Sequence, residues 1–469
     1  MENTLNQLHI LAKTINEFLW GPPMMILLVG FGLISSLYLG FPQIKNTGLG
    51  LKETFGKIFS KKESEEGSMS SFQALATAIA AQVGTGNIGG VAGAIVSGGP
   101  GAVFWMWITA IFGMSTIFVE AILAQKYRET RNGELVGGPA FYLSKGLKKT
   151  GKEGLGKIFA GTFAVLIIIA LGFVGNMVQS NSISSALAEA FGIKEIIVGI
   201  ALALAAGFIF IGGMKRIANF AELAVPAMAL IYIIGSIVVL IKFGDSLGRV
   251  FHDIFTMAFS TKAIAGGAVG ITIKEAIRYG VARGLFSNEA GMGSTPNSHA
   301  VAKVKHPGVQ GSVAMVGVLI DTGIVCTATA LVILVTGADK AGKEGVMITM
   351  EAFNIAFGDL GAKFLAIALV FFAFTTIVGW YYFGLTNAKY LFPNKNIFPY
   401  HVIVLFFLVM GALQKVDLVW ELTDMFNGLM VIPNLLGLFF LLREAKTISE
   451  DFREQINKGQ ELYYDYKEE

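Results

Sequence analysis

Long apolar runs are the feature that most constrains how this chain can fold. The first covers residues 18–41, and a helix needs only about 20 apolar residues to cross the hydrocarbon core of a bilayer. The whole chain has 54% hydrophobic and 15% charged residues, whereas soluble domains carry about 25% charged residues. These runs predict an all-α membrane protein with several spanning helices.

Composition and motifs exclude several other classes. A net charge of +3 is too small to indicate nucleic-acid binding. The single cysteine, Cys326, argues against a disulfide framework and against a thiolate metal site. Residues 18–41 lack the basic region and cleavage site of a signal peptide, so a retained helix is predicted. The apolar runs contain no HExxH motif and no Ser/His pair, so the sequence does not predict an enzyme.

Charged and Gly/Pro-rich segments divide the apolar residues into eleven predicted helices. Of the 36 Lys and Arg residues, 27 lie in alternate connections, which by the positive-inside rule face the cytoplasm. The N-terminus is therefore predicted outside and the C-terminus inside. The tail, residues 443–469, is predicted to be a solvated cytosolic helix or a mobile end. The predicted helices cover residues 18–42, 68–97, 101–126, 157–190, 194–213, 217–243, 250–285, 308–337, 360–391, 397–414 and 417–442.

The helix predicted at 68–97 should be broken near its centre. Residues 84–90 read GTGNIGG, and each glycine in a helix interior costs about 1 kcal/mol relative to alanine. Unwound backbone at membrane depth must be buried in protein or line a cavity. Such a break offers N–H groups to a carboxylate and carbonyl oxygens to Na⁺ or an ammonium group. Tight packing of small residues against a neighbouring helix is the alternative explanation.

A second break is predicted in residues 260–270 (STKAIAGGAVG), five helices after the first. Paired broken segments at matching positions of two repeats indicate the binding site of a secondary transporter. The spacing therefore predicts a five-plus-five inverted repeat formed by helices 2–11. The corresponding divisions are residues 1–67 for an extra N-terminal helix and its connection, 68–243 and 244–442 for the two repeats, and 443–469 for the tail.

Three motifs resemble those of known transporters. Residues 83–87 (VGTGN) resemble the VGxGN run in the broken first helix of LeuT-like sodium:neurotransmitter symporters. Residues 98–113 (GGPGAVFWMWITAIFG) and 284–293 (GLFSNEAGMG) are similar to the signature and the RGLFSNEAG loop of the alanine or glycine:cation symporter family. The resemblance covers about residues 68–442. It implies a LeuT-like fold, Na⁺-driven uptake of alanine or glycine across the cell membrane, and no cofactor besides the coupling ion.

The resemblance also implies roles in substrate binding. The main-chain N–H groups of Thr85 and Gly86 would hold the substrate carboxylate, and the carbonyl of Gln82 would accept from its ammonium group. The facing backbone of the second break would be exposed by three glycines, Gly266, Gly267 and Gly270.

For Na⁺, the family pattern implies carbonyl oxygens of the first broken helix and a hydroxyl pair in helix 360–391. Thr376 is expected to border the substrate as well. The alternative for both threonines is a hydrogen bond to a carbonyl one turn earlier, which is common in apolar helices. Asn87 is expected to serve a possible second cation. The groups expected to bind the first cation belong to Ala80, Val83, Phe372, Thr375 and Thr376.

Two further side chains are predicted to border the substrate pocket. Trp380 lies four residues after Thr376, hence on the same helix face, although an aromatic there could also simply pack. Asn176, Gln179 and Asn181 lie in an apolar helix, where polar groups are costly unless they face a cavity or one another. Of these, Gln179 is the predicted pocket contact.

Three carboxylates complete the candidates. Glu120 and Asp321 fall within predicted spans, where an ionisable group indicates proton transfer or ion binding by default. A structural pairing is the alternative for each. Glu289, in the loop of residues 284–293, is expected to fix a cytoplasmic gate.

The predicted mechanism is alternating access, in which Na⁺ orders the unwound segments and a small amino acid then completes the site. Main-chain lining by Gly and Ala should exclude bulky side chains. The nearest alternative is a proton-coupled amino-acid carrier of the same fold. A channel or sensor is a further alternative, and would lack saturable, Na⁺-dependent counterflow.

Overall fold

The computed structural model describes residues 2–56, 67–131, 133–260, 273–393, 395–414 and 416–466. This part of the chain is almost entirely helical, as predicted, with one short antiparallel ribbon of β1 (Glu129–Arg131) and β2 (Glu134–Val136). The helices are α1 (Glu2–Leu19), α2 (Pro22–Tyr38), α3 (Pro42–Lys45), α4 (Thr47–Phe55), α5 (Ser71–Gln82), α6 (Val91–Gly98), α7 (Gly101–Lys126), α8 (Pro139–Lys149), α9 (Glu153–Ile167), α10 (Asn176–Phe191), α11 (Glu195–Ile211), α12 (Gly213–Lys242), α13 (Leu247–Met257), α14 (Ile273–Asn288), α15 (Pro296–His299), α16 (Pro307–Val318), α17 (Thr327–Thr336), α18 (Val346–Phe357), α19 (Asp359–Leu391), α20 (Phe398–Leu413) and α21 (Val416–Asn457).

Wider π-helical turns interrupt three of the long apolar segments. They lie at Gly86–Gly90 before α6, at Ile168–Gly175 between α9 and α10, and at Leu319–Cys326 between α16 and α17. Such turns occur often at functional sites, since they displace the backbone from its regular ladder. Two short 3₁₀ turns, Gly244–Ser246 and Ala338–Lys340, connect other helices.

Six segments of the described chain are long and apolar enough to cross a membrane. Two bent pairs raise the number to at most eight: residues 7–19 with α2, at 45°, and α5 with the segment 86–98, at 51°. These segments agree with the prediction of an all-α membrane protein that has several spanning helices. The six segments are Gly101–Lys126, Glu153–Phe191, Gly213–Lys242, Pro307–Thr336, Asp359–Leu391 and Leu418–Asn457.

The predicted number of eleven spanning helices is not confirmed. The helix predicted at 18–42 is divided at Gly21, where the chain bends between α1 and α2. Helices α11 and α20 have 17 and 16 residues, fewer than the roughly 20 that span the hydrocarbon core. Helix α18 lies outside every predicted helix, because its apolar run is only 12 residues long.

The tail differs from the predicted solvated end. Helix α21 continues from the last apolar span to Asn457 without interruption. Ala445, Ile448 and Phe452 are buried on one face of this extension, so the tail is docked against the protein. The ring of Phe452 stacks on His306 with centroids 5.0 Å apart. Arg443, Glu450 and Glu454 are exposed on the opposite side, which explains why composition alone indicated a solvated segment.

A stability prediction arises where α4 crosses α16. A Cβ added to Gly50 would overlap the carbonyl oxygen of Ser312, whereas Gly48, in the same helix, has open space around it. We expect Gly50→Ala to destabilise the protein by about 1–3 kcal/mol through overpacking. Gly48→Ala should leave stability unchanged or raise it by up to about 1 kcal/mol. Unfolding temperatures of both variants in detergent measure this, and equal values would contradict the packing described.

Candidate functional site

The first predicted break lies in the buried centre of the protein. Helix α5 ends at Gln82, and Val83 has the extended dihedrals φ −87° and ψ 91°. The Gly84 N–H donates to Asn87 Oδ1 at 2.8 Å, and the Thr85 N–H donates to Gln179 Oε1 at 3.3 Å. Side chains thus replace the helical partners that the break removes, as buried peptide groups require. The break expected from GTGNIGG is present.

Helix α19 supplies a hydroxyl to this break. Thr376 Oγ1 lies 3.0 Å from the Ala80 carbonyl oxygen, 3.3 Å from that of Val83 and 3.1 Å from that of Phe372. A hydroxyl has one hydrogen and can donate to only one of these three oxygens. The result is a compact cluster of oxygens, and such hard ligands suit a small cation. The structure brings together four of the five residues named for the first cation through these groups.

Thr375 is placed differently from its neighbour. Its hydroxyl donates to the Phe372 carbonyl at 2.8 Å and lies 3.4 Å from the sulfur of Met228. It therefore reaches the cluster only through the Phe372 carbonyl that it shares with Thr376. The one-turn hydrogen bonds that were the alternative for both threonines are present, but of the two it is Thr376 that also reaches across to α5.

A second unwound segment lies at residues 289–295, after α14. Glu289, Gly291 and Gly293 have positive φ values of 57°, 86° and 77°, and the non-glycine among them marks local strain. A Cβ on Gly86 would lie 3.1 Å from the ring of Phe286, so the last turns of α14, just before this segment, pack against the first broken helix. The segment predicted to face the break, 260–270, falls almost wholly outside the described residues. The same holds for Gly266, Gly267 and Gly270.

Glu289, which is expected to fix a cytoplasmic gate, lies in the protein interior. Its segment, residues 289–295, is buried, and Glu289 itself is 0% exposed. Trp380 Nε1 donates to Glu289 Oε1 at 2.6 Å, and the hydroxyl of Ser294 donates to Oε2. The carboxylate thus ties α19 to the second unwound segment.

The last residues of α5 and α14, each next to an unwound segment, are joined directly. Gln82 Nε2 donates to the Asn288 carbonyl at 2.6 Å. The other side-chain atom of Gln82, Oε1, and the hydroxyl of Thr85 are buried without a hydrogen-bond partner among the described residues. Buried groups of this kind cost about 1–3 kcal/mol each when unsatisfied, so they are suited to contact a polar ligand.

Gln179 lies beside the break, where a Cβ on Gly84 would lie 3.1 Å from Gln179 Oε1. Trp380 packs instead on the π-helical turn before α10, where a Cβ on Gly175 would lie 2.7 Å from Trp380 Cζ3. Asn176 and Asn181 instead donate to carbonyls of Gly172 and Gly411, both at 3.0 Å. Of the three polar side chains in this helix, Gln179 is the one that reaches the break.

Asp321 forms a second polar cluster on the other side of Asn87. Asn87 Nδ2 donates to Asp321 Oδ1 at 2.5 Å and Ser287 Oγ donates to the same atom at 3.0 Å. Thr322 Oγ1 donates to Oδ2 at 2.7 Å. All three donors are neutral and the carboxylate is 0% exposed. A buried carboxylate with neutral partners requires a cation or a proton.

Glu120 has a structural arrangement. Asn434 Nδ2 donates to Glu120 Oε1 at 2.7 Å and the Gly291 N–H donates to Oε2 at 3.0 Å. Tyr142 donates to Asn434 Oδ1 at 2.5 Å. The carboxylate therefore links α7 and α21 to the segment of positive-φ residues, through neutral donors rather than through a lysine.

Sequence reasoning missed Phe286, Ser287 and Asn288 as members of the site. A signal for them was available, because SNEAGMG repeats the pattern of GTGNIGG: glycines and small polar residues within a buried stretch. The run was instead interpreted as a connection because Lys and Arg residues follow it.

Comparison with known proteins identifies the family. Residues 5–466 match the model of the sodium:alanine symporter family. The chain belongs to this family. The match confirms the resemblance carried by residues 98–113 and 284–293, and it makes the protein a transporter rather than an enzyme at the level of the family.

Relatives within the sodium:alanine symporter family align over nearly their full length. The sodium/alanine symporter AgcS of Methanococcus maripaludis is 43% identical over 449 residues, which is 94% of this chain and 97% of AgcS. YrbD of Bacillus subtilis, whose name describes a sodium/proton-dependent alanine carrier, is 40% identical over 97% of this chain and 95% of its own. GlnT of the same organism, whose name describes a sodium/glutamine symporter, is 41% identical over 97% and 92%.

Proposed function

We propose that this protein is a secondary active transporter that couples Na⁺ entry to the uptake of alanine, glycine or both across the cell membrane. The observation that carries the proposal is the oxygen cluster of Thr376 with the carbonyls of Ala80, Val83 and Phe372. It joins a broken helix to a straight one, so a cation bound there would draw two elements together. Family membership and the names of two alanine-carrying relatives support the substrate.

The proposed fold is LeuT-like, with a five-plus-five inverted repeat over residues 68–243 and 244–442. An extra N-terminal helix precedes it and the tail of residues 443–469 follows. Support comes from the unwound segments at 83–85 and 289–295, both of which are buried in the protein interior. The charge bias supports an outside N-terminus and a cytoplasmic C-terminus.

The substrate site proposed lies against the first break. N–H groups of Thr85 and Gly86 would hold the carboxylate, with the Gln82 carbonyl facing the ammonium group. Trp380, Gln179 and Thr376 would form the walls, together with Gly266, Gly267 and Gly270. Exclusion of large side chains follows from the packing of Phe286 against Gly86 and of Trp380 against Gly175. The Na⁺ ligands would be groups of Ala80, Val83, Phe372, Thr375 and Thr376.

Uptake of labelled alanine into proteoliposomes tests the function. We expect saturable accumulation with an imposed Na⁺ gradient, none with choline in place of Na⁺, and competition by unlabelled glycine. Unlabelled glutamine is the control for side-chain size. It should not compete if large side chains are excluded, although a relative's name describes a sodium/glutamine symporter. Accumulation that is independent of Na⁺ but follows a pH gradient would replace Na⁺ coupling by the proton-coupled alternative. The name of YrbD, which describes sodium/proton dependence, is the reason to test it.

A second cation is proposed near Asn87, with Asp321 supplying the negative charge that would compensate it. Asp321→Asn removes that charge and should raise the Na⁺ concentration for half-maximal alanine uptake by about tenfold or more, equivalent to about 1.4 kcal/mol. The Hill coefficient for Na⁺ should fall at the same time. Asp359→Asn is the control, since Asp359 is an exposed partner of Lys363 at the start of α19. An unchanged Na⁺ titration in the Asp321 variant would exclude this site.

A further inference from the structure

A small polar cavity lies where α2 ends and the extension of α21 passes over it. Its volume is about 200 Å³. Neither the oxygen cluster of Thr376 nor the cluster of Asp321 contributes to it. Its lining includes Tyr38, Gly40, Lys446, Ser449, Glu450 and Arg453.

Positive charge converges on this cavity. A Cβ placed on Gly40 would lie 3.3 Å from Arg453 Nη1 and 3.4 Å from Lys45 Nζ. The guanidinium and the ammonium group thus approach the same point, which like charges disfavour unless an anion lies between them. Gly40, with φ +67°, leaves this space open because it has no side chain.

Lys446 adds a third positive charge. Its Nζ lies 4.4 Å from the centre of the Tyr38 ring. The acid that lines the cavity, Glu450, is 3.7 Å from Lys446 and is largely exposed. Three cations therefore face one carboxylate, and the excess charge is positive.

Hydrogen-bond donors in the cavity lack acceptors. Nε and Nη2 of Arg453 and the hydroxyl of Ser449 are buried with no partner among the described residues, and Ser449 is 1% exposed. A guanidinium presents these nitrogens as a planar fork that matches the oxygens of a phosphate or carboxylate. The unpaired donors thus have the geometry of an anion site.

The position of the cavity indicates where the anion comes from. Helix α2 is the apolar half of a bent spanning pair and ends at Tyr38, and tyrosines are enriched at the membrane boundary. Leu37 and Ile44 beside the cavity are 60% and 75% exposed, so the adjoining surface suits acyl chains. Basic pockets between helices at this depth are suited to lipid head groups.

We propose that the cavity binds the phosphate of an anionic phospholipid. Arg453 and Ser449 donate to its oxygens, while Lys45 and Lys446 neutralise the charge. Occupancy would fasten the extension of α21 to the end of α2. A free phosphate ion offers the same oxygens without the acyl chains, so the experiment must separate the two sources.

The test measures lipid retained by the purified full-length protein in neutral detergent, using native mass spectrometry. Phosphatidylglycerol and phosphatidylcholine are added in matched amounts. We expect wild type to retain phosphatidylglycerol preferentially, and Arg453→Gln to weaken retention by about tenfold or more. Lys458→Gln, which removes a charge from an exposed pair with Glu454 on the same helix, should behave as wild type. Lys45→Gln, at an exposed position, provides a second variant if Arg453→Gln fails to fold.

Three results would overturn the proposal. One is equal retention of the two lipids by wild type. Another is unchanged phosphatidylglycerol retention in folded Arg453→Gln or, if that variant does not fold, in Lys45→Gln. The third combines two observations: millimolar inorganic phosphate displaces the bound lipid, and phosphate alone raises the unfolding temperature as much as phosphatidylglycerol does. Together they would assign the cavity to the free ion.

Discussion

Gly84→Ala is expected to abolish Na⁺-driven alanine uptake, lowering the rate by about a hundredfold or more. The added Cβ would overlap Thr376 Oγ1 and lie 3.1 Å from Gln179 Oε1. The break and α19 would have to separate, and a misplacement of about 1 Å at a reacting or binding centre can cost about a hundredfold. Initial uptake rates in proteoliposomes, normalised to folded protein, measure the effect.

Gly93→Ala is the matched control for this substitution. Gly93 lies in α6, the continuation of the same broken helix, and has open space where a Cβ would be added. It should transport as wild type and be equally or slightly more stable, since alanine favours a helix interior. If Gly84→Ala also transported normally, the close contact between the break and Thr376 would not be required in the transport cycle.

Thr376→Ala should raise the Na⁺ concentration for half-maximal uptake by about 10-fold to 150-fold. The substitution removes the one side-chain oxygen that faces three carbonyls. Interactions with a charged partner contribute about 1.5–3 kcal/mol, which corresponds to that range of affinity. Na⁺ titrations of alanine uptake at fixed ionic strength measure the change.

Two variants show whether the cause is the oxygen or the packing. Thr376→Ser keeps the hydroxyl and should remain close to wild type. Thr386→Ala removes a buried hydroxyl of the same helix that donates to the Tyr382 carbonyl, 3.1 Å away and one turn earlier, so its Na⁺ dependence should be normal. A Thr376→Ala variant with the Na⁺ titration of wild type would remove Thr376 from the cation site.

Local sequence predicted the first break and its partner because both depend on residues with strong backbone or chemical preferences. The glycines of residues 84–90 disfavour a continuous helix, and the resemblance at residues 83–87 brought in Ala80, Val83 and Thr376. Their three oxygens meet as expected, although α5 and α19 are almost 300 residues apart in the chain. Gln179 and Trp380 were located by helical spacing and by the cost of polar groups in an apolar helix.

Other parts depend on tertiary contacts that one sequence does not display. Residues 284–293 were interpreted as a loop because polar residues and glycines suit both a connection and a buried break. Their burial in the protein interior is decided by packing. Helix α18, too short to be detected by hydropathy, places Thr349 Oγ1 3.1 Å from the Ile88 carbonyl beyond the first break. The docked face of the tail likewise requires a partner surface before its three buried apolar residues can be recognised.

The 42 residues of α21 form one uninterrupted rod with a proline, Pro433, inside it. The next residue, Asn434, bonds to Glu120 and to the Gly291 carbonyl, within reach of the second unwound segment. From there to Asn457 the helix extends about 35 Å at 1.5 Å per residue. A pivot of only about 10° at the proline would displace the far end by about 6 Å. Because the tail is docked through Phe452 on His306, such a displacement would have to break or carry along that contact. A distance probe attached near Asn457 would therefore show whether the centre and the docked tail move as one body.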